Sequence, residues 1–200
     1  MTSTTNASGT PALRRRTMST SIGQLVLVAG PSGLRAVLWP GEDGSRVARA
    51  VGSVAASSRP VGPVTAGSGA AGSSAAEDGA DEAEAHLDRA VEQLSQYFDG
   101  TRRDFDLDLD PVGTDFQLRV WAALRDIPYG QTRSYGAQAA DLGAPGASRA
   151  VGAANGRNPL SIVVPCHRVV AASGALTGFA GGLDIKAWLL DHERAVLAQG

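Results

Sequence analysis

The sequence predicts an α+β protein in two parts, and three features carry that reading. Residues 22–39 hold two apolar runs around a Gly-Pro-Ser-Gly turn, as an antiparallel hairpin would. Residues 81–98 and 116–124 repeat apolar side chains at helical spacing. From Ser134 onward, short helical segments alternate with Gly/Pro turns, so the carboxy-terminal part reads as mainly helical. A chain of 200 residues is long enough for one domain or two small ones.

Residues 1–20 are rich in Ser and Thr, and their three arginines precede no apolar run, so a disordered tail is expected rather than a secretory signal. The first unit then spans 21–112. After the 22–39 hairpin a short strand is expected over Val47–Val51. Residues 52–80, almost wholly Ala, Gly, Ser, Pro and Val, read as a flexible low-complexity insertion. Ala85, Leu87, Ala90, Val91, Leu94 and Phe98 mark the helix of 81–98. Strict alternation of Phe105, Leu107 and Leu109 with aspartates predicts a half-exposed strand over 103–110.

The second unit spans 113–200. Thr114 or Asp115 caps a helix whose stripe is Phe116, Val120, Trp121 and Leu124. Segments 134–143 and 148–156, the second capped by Ser148, read as two short helices around Ala144-Pro145-Gly146. They fit a helix-turn-helix or an ordinary αα-corner equally well. Residues 161–176 read as strand, active segment and hairpin, 177–182 as a loop. Asp184 caps the last helix, with Ile185, Trp188, Leu189 and Val196 facing inward.

The bulk numbers exclude several classes. No apolar run reaches the ~18 residues of a membrane helix. One cysteine makes neither an internal disulfide nor a Cys-based zinc site, and suits a reducing compartment such as the cytoplasm. The net charge of −2 does not advertise a nucleic-acid binder. Yet from Phe116 onward eight basic residues face five acids, so the second unit is the part suited to a polyanion.

The lone cysteine stands in Ile162-Val163-Val164-Pro165-Cys166-His167-Arg168-Val169-Val170. Thiol chemistry needs a thiolate, which a nearby base or positive field supplies. Adjacent residues on a strand point to opposite faces, but Pro165 argues for a local irregularity, so water could relay a proton from Cys166 to His167. Glu193 is a candidate carboxylate for the other ring nitrogen. Taken alone, Cys166 reads first as a buried small hydrophobe and His167 as a core histidine.

The segment Pro165-Cys166-His167-Arg168-Val169 resembles the active-site signature of the O6-alkylguanine-DNA alkyltransferases, the methylated-DNA–protein-cysteine methyltransferases. The resemblance runs from about Phe116 to Glu193, through 127–139, 148–159, 162–170 and 173–183 to the Lys186–Glu193 spacing. It implies an RNase H-like amino-terminal domain followed by a winged helix-turn-helix-like alkyltransferase domain. Cys166 would be the nucleophile, with His167 as base through a water, Glu193 orienting it and Asn158 holding the segment. Tyr135 would crowd the target's phosphate, and Arg149 would fill the gap left in the base stack. Ala147, Ala150 and Gly152 would let their helix approach DNA. Val169, Phe179, Ala180 and Gly181 would line the pocket. Phe179 stands where some members have tyrosine, and Asn155 where some have a larger apolar residue near the flipped base.

The implied activity is irreversible transfer of an alkyl group from O6-alkylguanine, or O4-alkylthymine, in double-stranded DNA to Cys166, once per molecule. No cofactor, metal, membrane or protein partner is implied, and a monomer is expected. A damage sensor of the same family would lack Cys166, and a plain helix-turn-helix regulator would have no use for the 165–169 segment.

Overall fold

A computed structural model describes residues 13–39, 42 and 74–199, and the class is mixed helix and sheet as expected. Strands β1 (Arg14–Thr20), β2 (Gly23–Gly30) and β3 (Gly33–Leu38) form an antiparallel sheet in that order, closed by tight turns at 21–22 and 31–32. Met18 pairs with Leu25 and Leu27 with Val37, and these four side chains are buried. Helix α1 (Ser74–Phe98) lies on the sheet through Ala83, Leu87, Ala90, Leu94 and Tyr97, a 4-3-4-3 spacing that keeps one helix face inward.

Several expectations need correction here. Residues 14–20 are a strand, not a tail. Their inward positions include Arg14 and Arg16, which masks the apolar alternation. Arg16 instead meets Glu84, at 2.6 Å, and Asp88 on α1. Residues 74–80 belong to the helix, not to an insertion, because Ala80 continues the buried face of Ala83 and Leu87. Ala85, read as part of that stripe, is exposed. The 103–110 segment makes only one isolated bridge, Leu34 with Leu109. Gln93 takes both backbone groups of Asp106 at 2.8 Å, so a side chain replaces the strand partner. The strand expected at Val47–Val51, the remainder of the 52–80 insertion and residues 1–12 lie outside the described residues.

Helix α2 (Asp115–Leu124) starts with a full capping box between Thr114 and Gln117. A two-residue strand β4 (Arg133–Ser134) leads into α3 (Tyr135–Asp141), capped by the Ser134 hydroxyl, and α4 (Ser148–Asn155) follows. Ser148 is the first helical residue rather than the cap, and Ala147 before it offers no side-chain acceptor. Asp184 likewise lies in the first turn of α5 (Leu183–Gln199) and not before it.

Residues 161–164 are turns rather than strand. They lead to a 3₁₀ turn over Cys166–Arg168 and to β5 (Val169–Val170), which pairs in parallel with β4. No second strand returns after β5. A turn bond from Ala171 N to Ala175 O closes the bend instead of a hairpin ladder.

One buried cluster runs through both halves, from Leu25 and Leu87 to Val151, Val169 and Leu189. Leu34 N to Asp108 O at 2.8 Å ties the 103–110 segment to β3, and Val37 N to Pro159 O at 2.8 Å joins β3 to the second half. Gly33 makes the first contact feasible. Its φ is +141°, and a Cβ there would lie 2.4 Å from the Asp108 carbonyl oxygen. Gly143 also has positive φ, but open space surrounds it. Gly33→Ala should therefore destabilise the protein by about 3 kcal/mol or more, and Gly143→Ala by about 1 kcal/mol, in urea unfolding. Equal losses would mean that the Gly33–Asp108 contact is not tight.

Candidate active site

The site begins with Asn158, just beyond α4. Its Nδ2 donates to Val164 O at 2.7 Å, and its Oδ1 accepts from Leu160 N at 3.0 Å. The side chain thus spans the turn that follows it. Inside that turn Ile162 has φ of +74°, costly for a β-branched residue. At Pro165, φ −82° and ψ 63° with a Cys166 N to Val164 O bond of 2.8 Å make an inverse γ-turn, which the proline ring favours. Cys166 leaves this turn as the first residue of the 3₁₀ segment, 6% exposed.

His167 and Arg168 both turn toward α5. His167 Nε2 donates to Glu193 Oε1 at 2.8 Å, and both residues are fully buried. Arg168 donates to the same carboxylate from Nη2 at 2.9 Å and from Nε at 3.0 Å, and to Ile127 O from Nη1 at 2.7 Å. Tyr97 OH at 3.0 Å and Gly130 N at 2.8 Å complete its partners. Burial opposes the Glu193 charge. The hydrogen bonds from His167 and Arg168, with the positive charge of Arg168, outweigh it and lower the carboxyl to about 2. An ionised carboxylate only accepts, so the His167 proton sits on Nε2 and Nδ1 is the basic nitrogen. Nδ1 is buried and has no hydrogen-bond partner among the described residues. Burial, reinforced by the charges of Arg168 and Lys186, pulls the imidazole below its usual range and outweighs Glu193. His167 is therefore neutral at pH 7.

Two further groups feel the thiol. Lys186 is buried, and its Nζ donates to Val169 O at 2.6 Å and Thr177 O at 2.7 Å. Burial lowers its pKa while Cys166 pushes the other way. Tyr135 OH donates to Thr177 O at 3.2 Å. Burial raises its pKa and Cys166 adds to this, so the phenol keeps its proton. Gly152 on α4 faces the Tyr135 ring, where a Cβ would lie 3.7 Å away. Arg149 and Ala150 are exposed on α4, Ala147 is half-buried just before it, and Arg149 has no ion pair among the described residues.

Val169 is buried beside Cys166 in the chain. The Phe179 ring lies edge-on to His167 at 6.5 Å, Ala180 is exposed, and Gly181 sits against Trp39. Asn155 lies on α4. It is buried between helices and donates to Gln138 Oε1 at 2.8 Å, because position 155 shares the inward face of α4 with Val151 and Ala154. A cavity of about 150 Å³ touches Pro165 and Arg168 together with Arg103, Phe105 and Arg125, but none of Tyr135, Val169 or Phe179. It therefore backs the turn rather than opening onto the thiol.

The fold brings Cys166, His167, Glu193 and Asn158 together, with Tyr135 and the 179–181 loop around them. Tyr97, Gly130, Arg168, Lys186 and Trp39 were missed as parts of the site. Two of these left a signal: Arg168 in the Cys166-His167-Arg168 run, and Lys186, a lone lysine within the apolar run of Ile185, Trp188 and Leu189.

A family profile described as "6-O-methylguanine DNA methyltransferase, DNA binding domain" matches residues 115–195. A curated methylated-DNA–protein-cysteine methyltransferase from Mycolicibacterium paratuberculosis is 64% identical over 105 residues. That stretch is 52% of this chain and 64% of the relative, just under two thirds of its length. A Methanosarcina acetivorans protein of the same name is 56% identical over 112 residues, which are 56% of this chain and 72% of that protein. The crystal structure of Mycobacterium tuberculosis OGT in complex with DNA superposes with a TM-score of 0.70 at 41% identity, covering 91% of this chain and 93% of that one.

Two outcomes follow from the carboxylate. Because folding lowers the Glu193 pKa, its contribution is complete above about 4.5 and is lost as pH falls toward about 2, giving an acid limb in the stability profile. Glu193→Gln should remove that limb and cost about 3–5 kcal/mol at pH 7, since Arg168 keeps a buried charge without its counter-ion. Urea unfolding from pH 7 down to pH 3 checks both.

Proposed function

Because the chain belongs to the methylated-DNA–protein-cysteine methyltransferase family, we propose that it repairs DNA by moving an alkyl group from O6 of guanine, or O4 of thymine, to Cys166. The observation that carries the reading is the fully buried His167–Glu193 pair next in sequence to the only cysteine. In this reading the amino-terminal part, with β1 included and ending near residue 112, is an RNase H-like domain and 113–200 a winged helix-turn-helix-like catalytic domain.

The thiol proton passes through a water to His167 Nδ1, and the resulting imidazolium is stabilised by Glu193. The Cys166 thiolate attacks the alkyl carbon, an S–C bond forms, and the C–O6 bond breaks. The electron pair leaves on guanine, which Tyr135 stabilises with a hydrogen bond toward N3, and the proton held by His167 returns by way of solvent to the guanine, leaving the imidazole neutral. Neutral guanine and a thioether result, so the atoms balance without a cofactor being consumed. No second cysteine is available to resolve the thioether, so each molecule acts once.

A base in a duplex cannot reach a thiol that is 6% exposed, so the damaged nucleotide must rotate out of the stack. Arg149, exposed and unpaired among the described residues, is suited to fill the space left behind. Ala147, Ala150 and Gly152 keep that helix surface low enough for close approach. Asn158 holds the active turn. Val169, Phe179, Ala180 and Gly181 would line the pocket for the flipped base.

Incubation with a duplex containing O6-methylguanine should add one methyl group to the intact mass, mapped to Cys166, and none to Cys166→Ala. A wild type that never gains mass refutes the reading. Arg149→Ala should slow repair of the duplex by about tenfold to a hundredfold, a share of the unstacking cost, yet react almost normally with free O6-benzylguanine. Equal slowing on both substrates would remove Arg149 from the finger role.

A further inference from the structure

Trp39, at the end of β3, belongs to the amino-terminal half but reaches the site in three ways. Its Nε1 donates to Ser161 Oγ at 3.1 Å, inside the turn that carries Cys166. Its ring meets Phe179 edge-on at 5.2 Å. It also lies directly under Gly181, where a Cβ would come within 2.8 Å of the indole. The residue is 3% exposed, and its backbone is held by Glu42, whose Oε2 accepts from Trp39 N at 3.2 Å and whose N donates to Trp39 O at 3.1 Å.

The loop it supports has few other restraints. Residues 177–182 contain three glycines, two of them at positive φ. Lys186 and Tyr135 hold Thr177 at one end, and a turn bond from Gly182 N to Phe179 O closes the other. Between them the Phe179–Gly181 stretch rests on the indole, and Phe179 in turn meets His167. The distance between this loop and the Cys166 turn is therefore set by a side chain that contacts both.

We propose that Trp39 is a specificity-determining positioning residue, which sets how large an O6-alkyl group fits between the 179–181 loop and Cys166. This rests on the alkyl-transfer reading above. Trp39 touches no reacting atom. It acts through Ser161, Phe179 and Gly181. A smaller residue at 39 lets the loop recede and favours bulky groups, whereas a Cβ at 181 pushes the loop off the indole and disfavours them.

The test is the ratio of single-turnover rates with O6-benzylguanine and O6-methylguanine, both in the same duplex and on one preparation, so any misfolded fraction cancels. Trp39→Leu should raise the benzyl-to-methyl ratio at least about fivefold, the scale of a lost ring–ring contact. Trp39→Phe, which keeps a ring edge toward Phe179, should lie nearer wild type, and Gly181→Ala should lower the ratio. If Trp39→Leu does not fold, Gly181→Ala and Trp39→Phe carry the test alone. A wild type that transfers both groups, with variant ratios unmoved or both rates falling equally, overturns the role of Trp39 and leaves the alkyl-transfer reading intact. A wild type that transfers neither overturns both.

Discussion

The structure depends on one buried carboxylate. Glu193 has no access to water, and an ionised carboxylate in that position is tolerated only if its oxygens are fully engaged. Five donor atoms from three parts of the chain do this: Tyr97 of α1, Gly130 of the turn after α2, and His167 and Arg168 of the active segment, with Arg168 counted at two nitrogens. Each of those parts is thereby pinned to α5. The charge arithmetic also matters for chemistry. Arg168 neutralises Glu193, so His167 need not be charged and stays a base.

The active turn is a second constraint, nested within the first. A left-handed Ile162 costs on the order of 1–3 kcal/mol and persists only where its surroundings over-determine it. Asn158 supplies that determination from inside the loop, Ser161 meets Trp39 from outside it, and Pro165 restricts the exit. The thiol at the end of this sequence of turns is held by backbone geometry rather than by a flexible tether. Such a site can meet a substrate carbon in a fixed orientation.

The amino-terminal half has no group in the proposed reaction, yet it frames the site. Its sheet is joined to the carboxy-terminal half by the backbone bond from Val37 N to Pro159 O, and by one continuous core. Its helix delivers Tyr97 to Glu193, and its last strand delivers Trp39 to the 161 and 179–181 positions.

The sequence by itself determined the local facts. The hairpin of 22–39, the helices of α1, α2 and α5 and the Thr114 cap were legible because periodicity, turn residues and capping chemistry act over a few residues. The family signature around Cys166 pointed to a candidate reactive segment, and the Glu193 and Asn158 that it implied as partners are hydrogen-bonded to residues 164–168. Tertiary structure decided what depends on distant neighbours. Strand β1 was hidden because its inward arginines meet acids on a helix some seventy residues away. The 103–110 segment alternates like a strand, but Gln93 takes its backbone groups. The 161–164 run is β-branched and apolar, yet Asn158 bends it into turns. Tyr97, Lys186 and Trp39 could be assigned to the site only in three dimensions, since no local pattern records which side chains from other elements satisfy a buried charge.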